Sequence, residues 1–377
     1  YYGSKQVKPV THFTVQAMYL AMALAAMLFV LMLYVHVPID LLNMDETLRQ
    51  KSLDYLYYVS FGLFPAAGYM VLRSMFEGIG NTKASMWISF VGIMVNIPAN
   101  YIFIYGKLGM PALGGAGCGI ATALVFLAMF IAILIYGWFS RTTRRYRLHP
   151  DSYRVHLKDI WQIVCIGTPI AFSIFFEVTL FACIPLAIVH LGPIMVAGHQ
   201  IAQNYSGIVF MLPLSLGMAT TIRVGHLVGQ KSLTELKIAI STAIVLAVMM
   251  SFIIASLTFL LRGTIASLYS ADASVIALAA SLLILACFYQ VSDAVQVVSA
   301  CALRGMKVTK PVFFITFIAY WPIGFGLGAV LGLTDWLVAP MGPHGFWIGI
   351  IAGLSVAALM LAIILKRTLH KLEHKAA

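Results

Sequence analysis

The sequence predicts an all-α polytopic membrane protein built from two homologous helix bundles. Three observations indicate this fold class. Of the 377 residues, 61% are hydrophobic and only 10% are charged; the apolar residues form long stretches; and one segment occurs twice. Soluble globular chains carry roughly 45–50% apolar and about 25% charged residues. A soluble core could not hide this much apolar surface, so the chain must lie in a bilayer.

The apolar stretches are long enough for transmembrane helices. A helix needs about 20 mostly apolar residues to cross the hydrocarbon core of a bilayer. No stretch shows the short alternating pattern of an outer-membrane β-strand. Ten spans are predicted: 13–36, 54–76, 86–105, 117–139, 161–190, 195–221, 238–261, 274–302, 312–333 and 346–365.

An internal repeat relates the two halves of the chain. Residues 41–83 and 268–310 match at a constant offset. Identical pairs include Gly78, Thr82 and Lys83, which match Gly305, Thr309 and Lys310. A duplicated hydrophobic unit of this length is typical of transporters that handle substrate between two related bundles.

The repeat also divides the chain. We expect an N-terminal bundle of four helices at 1–140, a cytoplasmic linker at 141–158 and a C-terminal bundle of six helices at 159–377. The first half has no counterpart of residues 158–226. We therefore expect a 6+6 repeat in the intact protein and 4+6 in this chain, with the first two transmembrane helices missing. Six spans per unit would give both units the same membrane orientation.

The net charge of +11 is explained by orientation rather than by a nucleic-acid partner. With these ten spans, every basic cluster falls on one side of the membrane. The positive-inside bias makes that side cytoplasmic, so both ends of this chain are expected in the cytoplasm of a bacterium, at the inner (plasma) membrane. The five cysteines show no metal-ligand spacing. We expect a monomer in the lipid bilayer without an organic cofactor.

Two acidic residues lie within predicted transmembrane spans, where a charge is costly. Glu177 lies near the middle of the fifth span and Asp293 lies inside the eighth; a charge there costs at least roughly 2.5–3.5 kcal/mol. Ala66 is the repeat counterpart of Asp293, so the shared packing does not require that acid. Two such carboxylates would share a proton, bind a cation such as Na⁺, or do both. The alternative is that each is protonated and only ties helices together.

One face of the sixth span forms a polar stripe: Gln200, Gln203 and Asn204, together with the small residue Gly207. We expect this face to line a substrate cavity. Further candidate liners are Tyr205, Tyr289 and Gln290, because a tyrosine ring can hold an organic cation. Ordinary hydrogen bonding between helices is the alternative.

In the first bundle, Asn96 and Asn100 share a face of the third span. They form a candidate polar site. Polar packing beside Pro98 would explain them equally well.

Several of these motifs together resemble one family. The motif G-x-x-x-T-K follows both the second and the eighth span, RVGHLVGQ occupies residues 223–230, FFEVTLF surrounds Glu177 and YQVSDA surrounds Asp293. In this combination the chain resembles the MATE (multidrug and toxic compound extrusion) transporters, specifically their bacterial NorM-like branch.

This resemblance implies an antiporter that expels cationic drugs and dyes, driven by inward Na⁺ or H⁺, with two bundles that alternate access. It implies a cation site at Glu177 and Asp293 beside Tyr289, and a drug cavity that includes Gln200. It also implies that Asn96 and Asn100 act with an acid on the family's first span, which this sequence does not contain.

The sequence disfavours two other functions. A lipid-linked oligosaccharide flippase of the same superfamily would need a cationic cavity for a pyrophosphate headgroup, whereas the mid-membrane charges here are acidic. A membrane-embedded enzyme is disfavoured because no H-E-x-x-H motif, paired intramembrane Asp or Ser/His constellation is present. We therefore expect a secondary transporter of small organic cations and not an enzyme.

Overall fold

The computed structural model describes residues 3–4, 6–40, 45–140 and 154–376, and within this part of the chain helices are the only regular secondary structure. The helices are α1 (Val7–Leu33), α2 (His36–Asp40), α3 (Glu46–Ser60), α4 (Leu63–Gly78), α5 (Thr82–Tyr105), α6 (Gly115–Phe139), α7 (Leu157–Ile188), α8 (Pro193–Gln230), α9 (Leu233–Ser267), α10 (Ala273–Gly305), α11 (Lys310–Ile318), α12 (Gly328–Leu333) and α13 (Pro343–Ala376).

Nine helical stretches of the described chain are long and apolar enough to cross a membrane, or ten if α3 and α4 together form one span. This result confirms the predicted all-α polytopic membrane fold. The second predicted span, 54–76, is not one straight helix, because α3 and α4 meet at a bend of 46°. The bend lies at Gly62, and Pro65 in the first turn of α4 cannot donate a backbone hydrogen bond.

The chain forms two compact units, Tyr1–Ile163 and Val164–Ala377. The first unit includes the beginning of α7 as well as α1 to α6. Residues 141–153, most of the predicted linker, lie outside the described residues. The domain boundaries inferred from the repeat remain a proposal.

The first unit has a small core on α4, α5 and α6, which includes Tyr69, Phe76, Ile88 and Ile133. Helix α1 is tied to the chain that enters α7. The buried Gln16 side chain donates to the Arg154 carbonyl oxygen (2.7 Å) and accepts from the His156 backbone N–H (2.9 Å). This amide therefore pairs with the backbone as a neighbouring peptide group would.

The second unit is organised around α10, which packs against α8, α9 and α13. Its buried residues occur on every side of the helix, including Leu282, Ala286, Ala294 and Ala302. A helix enclosed in this way shows no single apolar face. The position of α10 places Asp293 inside the unit rather than toward lipid.

The chain between α11 and α12 is π-helical, from Ala319 to Leu327, and contains Pro322. The predicted ninth span, 312–333, is thus helical throughout but not α-helical throughout. A π-helical turn holds an extra residue relative to an α-helix and often occurs at functional sites. It changes which side chains face the interior of the unit.

Close glycine packing holds this π-helical segment against α13. Gly324, Gly328 and Gly332 face Gly345, Gly349 and Gly353 at four-residue spacing. A Cβ atom on Gly349 would overlap the backbone carbonyl oxygen of Gly324. Small residues at this spacing let two backbones touch, so the glycines fix the position of the segment.

Candidate functional site

The second unit contains a cavity of ≈ 460 Å³. Its walls come from α7, α8, α10, the π-helical segment and α13. The lining residues are Glu177, Val178, Phe181, Ala182, Gln203, Asn204, Ser206, Gly207, Phe210, Tyr289, Asp293, Tyr320 and Leu354.

Both predicted acids line this cavity. Glu177 from α7 is partly buried, and Asp293 from α10 is 5% exposed. Among the described residues neither carboxylate forms a salt bridge. Burial without a salt bridge disfavours the state in which both carboxylates are charged, so the cavity favours the uptake of a proton or a cation.

Tyr289 lies one helical turn before Asp293 and lines the same cavity. Its ring is packed against Trp347 of α13, with ring centroids 5.7 Å apart. The Trp347 indole N–H donates to Nδ1 of the buried His199 at 3.2 Å. These contacts support the Tyr289 ring in the wall of the cavity.

The polar face of α8 contributes to the cavity in part. Gln203, Asn204 and Gly207 line it, whereas Gln200 is exposed and is not among the lining residues. The Gln203 side chain also donates to the carbonyl oxygen of Phe181 at 3.2 Å, which joins α8 to α7. Of the face that helical spacing predicts, about one turn of α8 lines the cavity, and Gln200 lies outside it.

Two other candidate liners face elsewhere. The Tyr205 hydroxyl shares a hydrogen bond of 2.7 Å with the Thr258 hydroxyl of α9. Gln290 borders a small cleft among α8, α9 and α10, which Tyr289 and Asp293 also border. Asp293 therefore lies between this cleft and the larger cavity, while Tyr205 serves packing between helices.

The first-unit asparagines do not form a buried pair. Asn96 is exposed, and Asn100 donates through Nδ2 to the backbone oxygen of Asn96 at 3.0 Å. The two amide side chains thus lie near one another on α5 without bonding to each other. A polar site at these residues stays a prediction.

Tyr320, Phe181, Phe210 and Leu354 line the cavity but were not predicted from the sequence. Three of them are apolar residues in apolar spans, and composition does not show which apolar residues of a span face a cavity. Tyr320 is different because the π-helical segment determines its direction. The available signal was a tyrosine two residues before Pro322 in the ninth span.

The fold and cavity define a polytopic membrane transporter whose second unit carries an acidic, aromatic site. A family comparison agrees with this class. The MatE family model matches residues 1–102 and 169–330. The multidrug resistance protein NorM of Photobacterium profundum is 48% identical over 87% of this chain and 72% of its own length. The multidrug resistance protein MdtK of Pectobacterium atrosepticum is 44% identical over 95% and 79%.

The chain therefore belongs to the MatE family, in its bacterial NorM-like branch. Solved MATE structures share the fold. A complex with MaL6 superimposes with a TM-score of 0.89 at 19% identity, over 99% of this chain and 82% of that one. The eukaryotic transporter AtDTX14 gives 0.86 at 20% identity, over 100% and 83%. The protein is a multi-pass bacterial membrane protein and a secondary transporter rather than an enzyme.

Proposed function

We propose that this protein exports cationic drugs and dyes from the cytoplasm in exchange for inward Na⁺ or H⁺. The observation that carries the proposal is that Glu177 and Asp293, from two different helices, line one cavity beside Tyr289 and Tyr320. Relatives that carry the name multidrug resistance protein cover most of the chain, which supports drug export. Alternating access between the two bundles would complete the cycle.

The lining of the cavity suits an organic cation. Carboxylates supply negative charge, and the rings of Tyr289, Phe181 and Phe210 offer apolar and cation–π surface. None of the described lining residues is Lys or Arg, so a pyrophosphate headgroup would meet only negative charge. This lining favours drug export over lipid-linked oligosaccharide flipping.

Coupling follows from competition at the two acids. When a proton or Na⁺ neutralises the pair, an organic cation loses most of its electrostatic attraction to the cavity. When the cation is bound, the pair is less available to the ion. Because the effect of one ligand on the other must be reciprocal, ion entry from outside promotes drug release outside.

The basic loops support an orientation for the proposed exporter. We propose that both ends of this chain lie in the cytoplasm, at the bacterial inner membrane, and that a monomer carries out transport. The basic loop residues would then face anionic headgroups on the cytoplasmic leaflet. A protease-sensitive tag after Ala377 should stay uncut in intact cells; cleavage by external protease would contradict this orientation.

An ion-jump assay tests the proposed exchange. Inverted membrane vesicles that contain the protein are loaded with Na⁺, or acidified inside, in separate samples, and ethidium is added outside. We expect at least one of the two gradients to drive ethidium into the vesicles, since their interior corresponds to the outside of the cell. The responding gradient identifies the coupling ion. If neither gradient moves ethidium above protein-free vesicles, the proposal fails.

A further inference from the structure

Tyr320 is the one cavity residue placed by the π-helical segment. Its side chain is 1% exposed and lines the cavity with Glu177, Asp293 and Tyr289. Its hydroxyl has no hydrogen-bond partner among the residues that the structure describes. A buried hydroxyl without a partner is unfavourable, because nothing replaces the hydrogen bonds that it made to water. Such a group in a cavity wall indicates that a ligand completes its hydrogen bonding or coordination.

The environment of Tyr320 is rigid. Trp321 packs against Phe325 within the π-helical segment, with ring centroids 5.6 Å apart. On the other side of the segment, Gly353 leaves space for the carbonyl oxygen of Ala319. The segment that carries Tyr320 is therefore fixed by close packing, which favours a preorganised ligand group.

A metal cation could use the Tyr320 hydroxyl as a ligand, whereas a proton shared by the two acids could not. A proton shared by two carboxyl groups needs only two oxygen atoms. The Tyr320 hydroxyl forms no hydrogen bond with either carboxylate, so proton sharing between the two acids would leave it without a partner. A hard metal cation takes several oxygen ligands and retains water molecules, and so it can reach donors on more than two walls.

We propose that Tyr320 is the specificity-determining residue that lets the acidic cavity bind Na⁺ in addition to H⁺. Its hydroxyl oxygen contributes to Na⁺ binding directly or through a retained water molecule. The carboxylates of Glu177 and Asp293 supply the negative charge. This inference rests on the proposed function, and it adds a ligand outside the sequence-predicted site.

The test compares Tyr320→Phe with the wild-type protein in purified form, using ²²Na⁺ alone as the probe. We expect the variant to bind Na⁺ about tenfold more weakly, which corresponds to about 1.4 kcal/mol, because one oxygen ligand is lost. We expect Na⁺ binding to weaken more than proton binding in the same variant, with proton binding followed as the pH dependence of ethidium binding. Tyr69→Phe is the matched control, because it removes the same atom from a buried tyrosine in the first unit.

Thermal unfolding supplies a second readout. Without Na⁺, Tyr320→Phe should be as stable as wild type or more so, because the lost hydroxyl has no partner. With Na⁺, wild type should gain more stability than the variant. Unchanged Na⁺ affinity in Tyr320→Phe, absence of Na⁺ binding by wild type, or a destabilised variant would each overturn the inference. A different result would contradict the proposed exchange itself: ion-coupled efflux that persists in Glu177→Gln.

Discussion

Glu177→Gln is expected to reduce ion-coupled ethidium efflux roughly 30-fold or more. The substitution keeps the shape of the side chain but removes its charge from the cavity it shares with Asp293. A charge contact in a desolvated site is worth roughly 2–5 kcal/mol when one partner is removed, and 2 kcal/mol corresponds to about 30-fold. The measurement is the initial rate of efflux at equal amounts of membrane-inserted protein.

Glu235→Gln serves as the matched control for this prediction. The substitution makes the same chemical change as Glu177→Gln, but on an exposed side chain. Glu235 forms an ion pair with Arg223 at 3.4 Å. Exposed ion pairs contribute about 0–1 kcal/mol, so its efflux should equal that of wild type. Wild-type efflux in Glu177→Gln would show that the acid serves only helix packing.

Gly349→Ala is expected to have the largest effect on stability. The added methyl group would overlap the backbone oxygen of Gly324, which cannot move as a flexible side chain could. Forcing extra atoms into a packed core costs about 1–3 kcal/mol, and we expect the upper end here. For a domain of this size, that corresponds to a melting temperature lower by roughly 5–10 °C. Thermal unfolding of the purified protein in detergent measures it.

Gly263→Ala is the control for the stability prediction. Gly263 is exposed on α9, and a Cβ atom there would meet no other group within 4 Å. Alanine is favoured over glycine in a helix by roughly 0.5–1 kcal/mol, so the melting temperature should stay level or rise slightly. Equal melting temperatures for the two alanine variants would contradict close packing between the π-helical segment and α13.

Hydropathy was sufficient to predict the fold because the bilayer imposes one length on every crossing. It was less informative where a span departs from a straight α-helix. The second predicted span merged α3 and α4, although Gly62 and Pro65 mark the bend between them. Hydropathy did not indicate the π-helical segment in the ninth span, because an α-helix and a π-helix can have the same apolar content.

The two acids could be located from the sequence because a carboxylate among apolar residues is conspicuous. Their shared cavity could not, since it depends on how α7 and α10 pack. Helical spacing grouped Gln200 with Gln203 and Asn204, but it does not tell where along a helix a cavity ends. Tyr320 was not predicted because its direction depends on the π-helical segment. Hydropathy does not show where a span changes from α-helix to π-helix.

We propose that one acidic cavity binds either the coupling ion or the drug. Ethidium binding to purified protein, titrated with Na⁺ and, separately, with protons, tests this shared site. We expect one of these ions to displace ethidium competitively from wild type, and not from the double variant Glu177→Gln with Asp293→Asn. Ethidium binding that neither ion weakens in wild type, or displacement that persists in the double variant, would contradict a shared site.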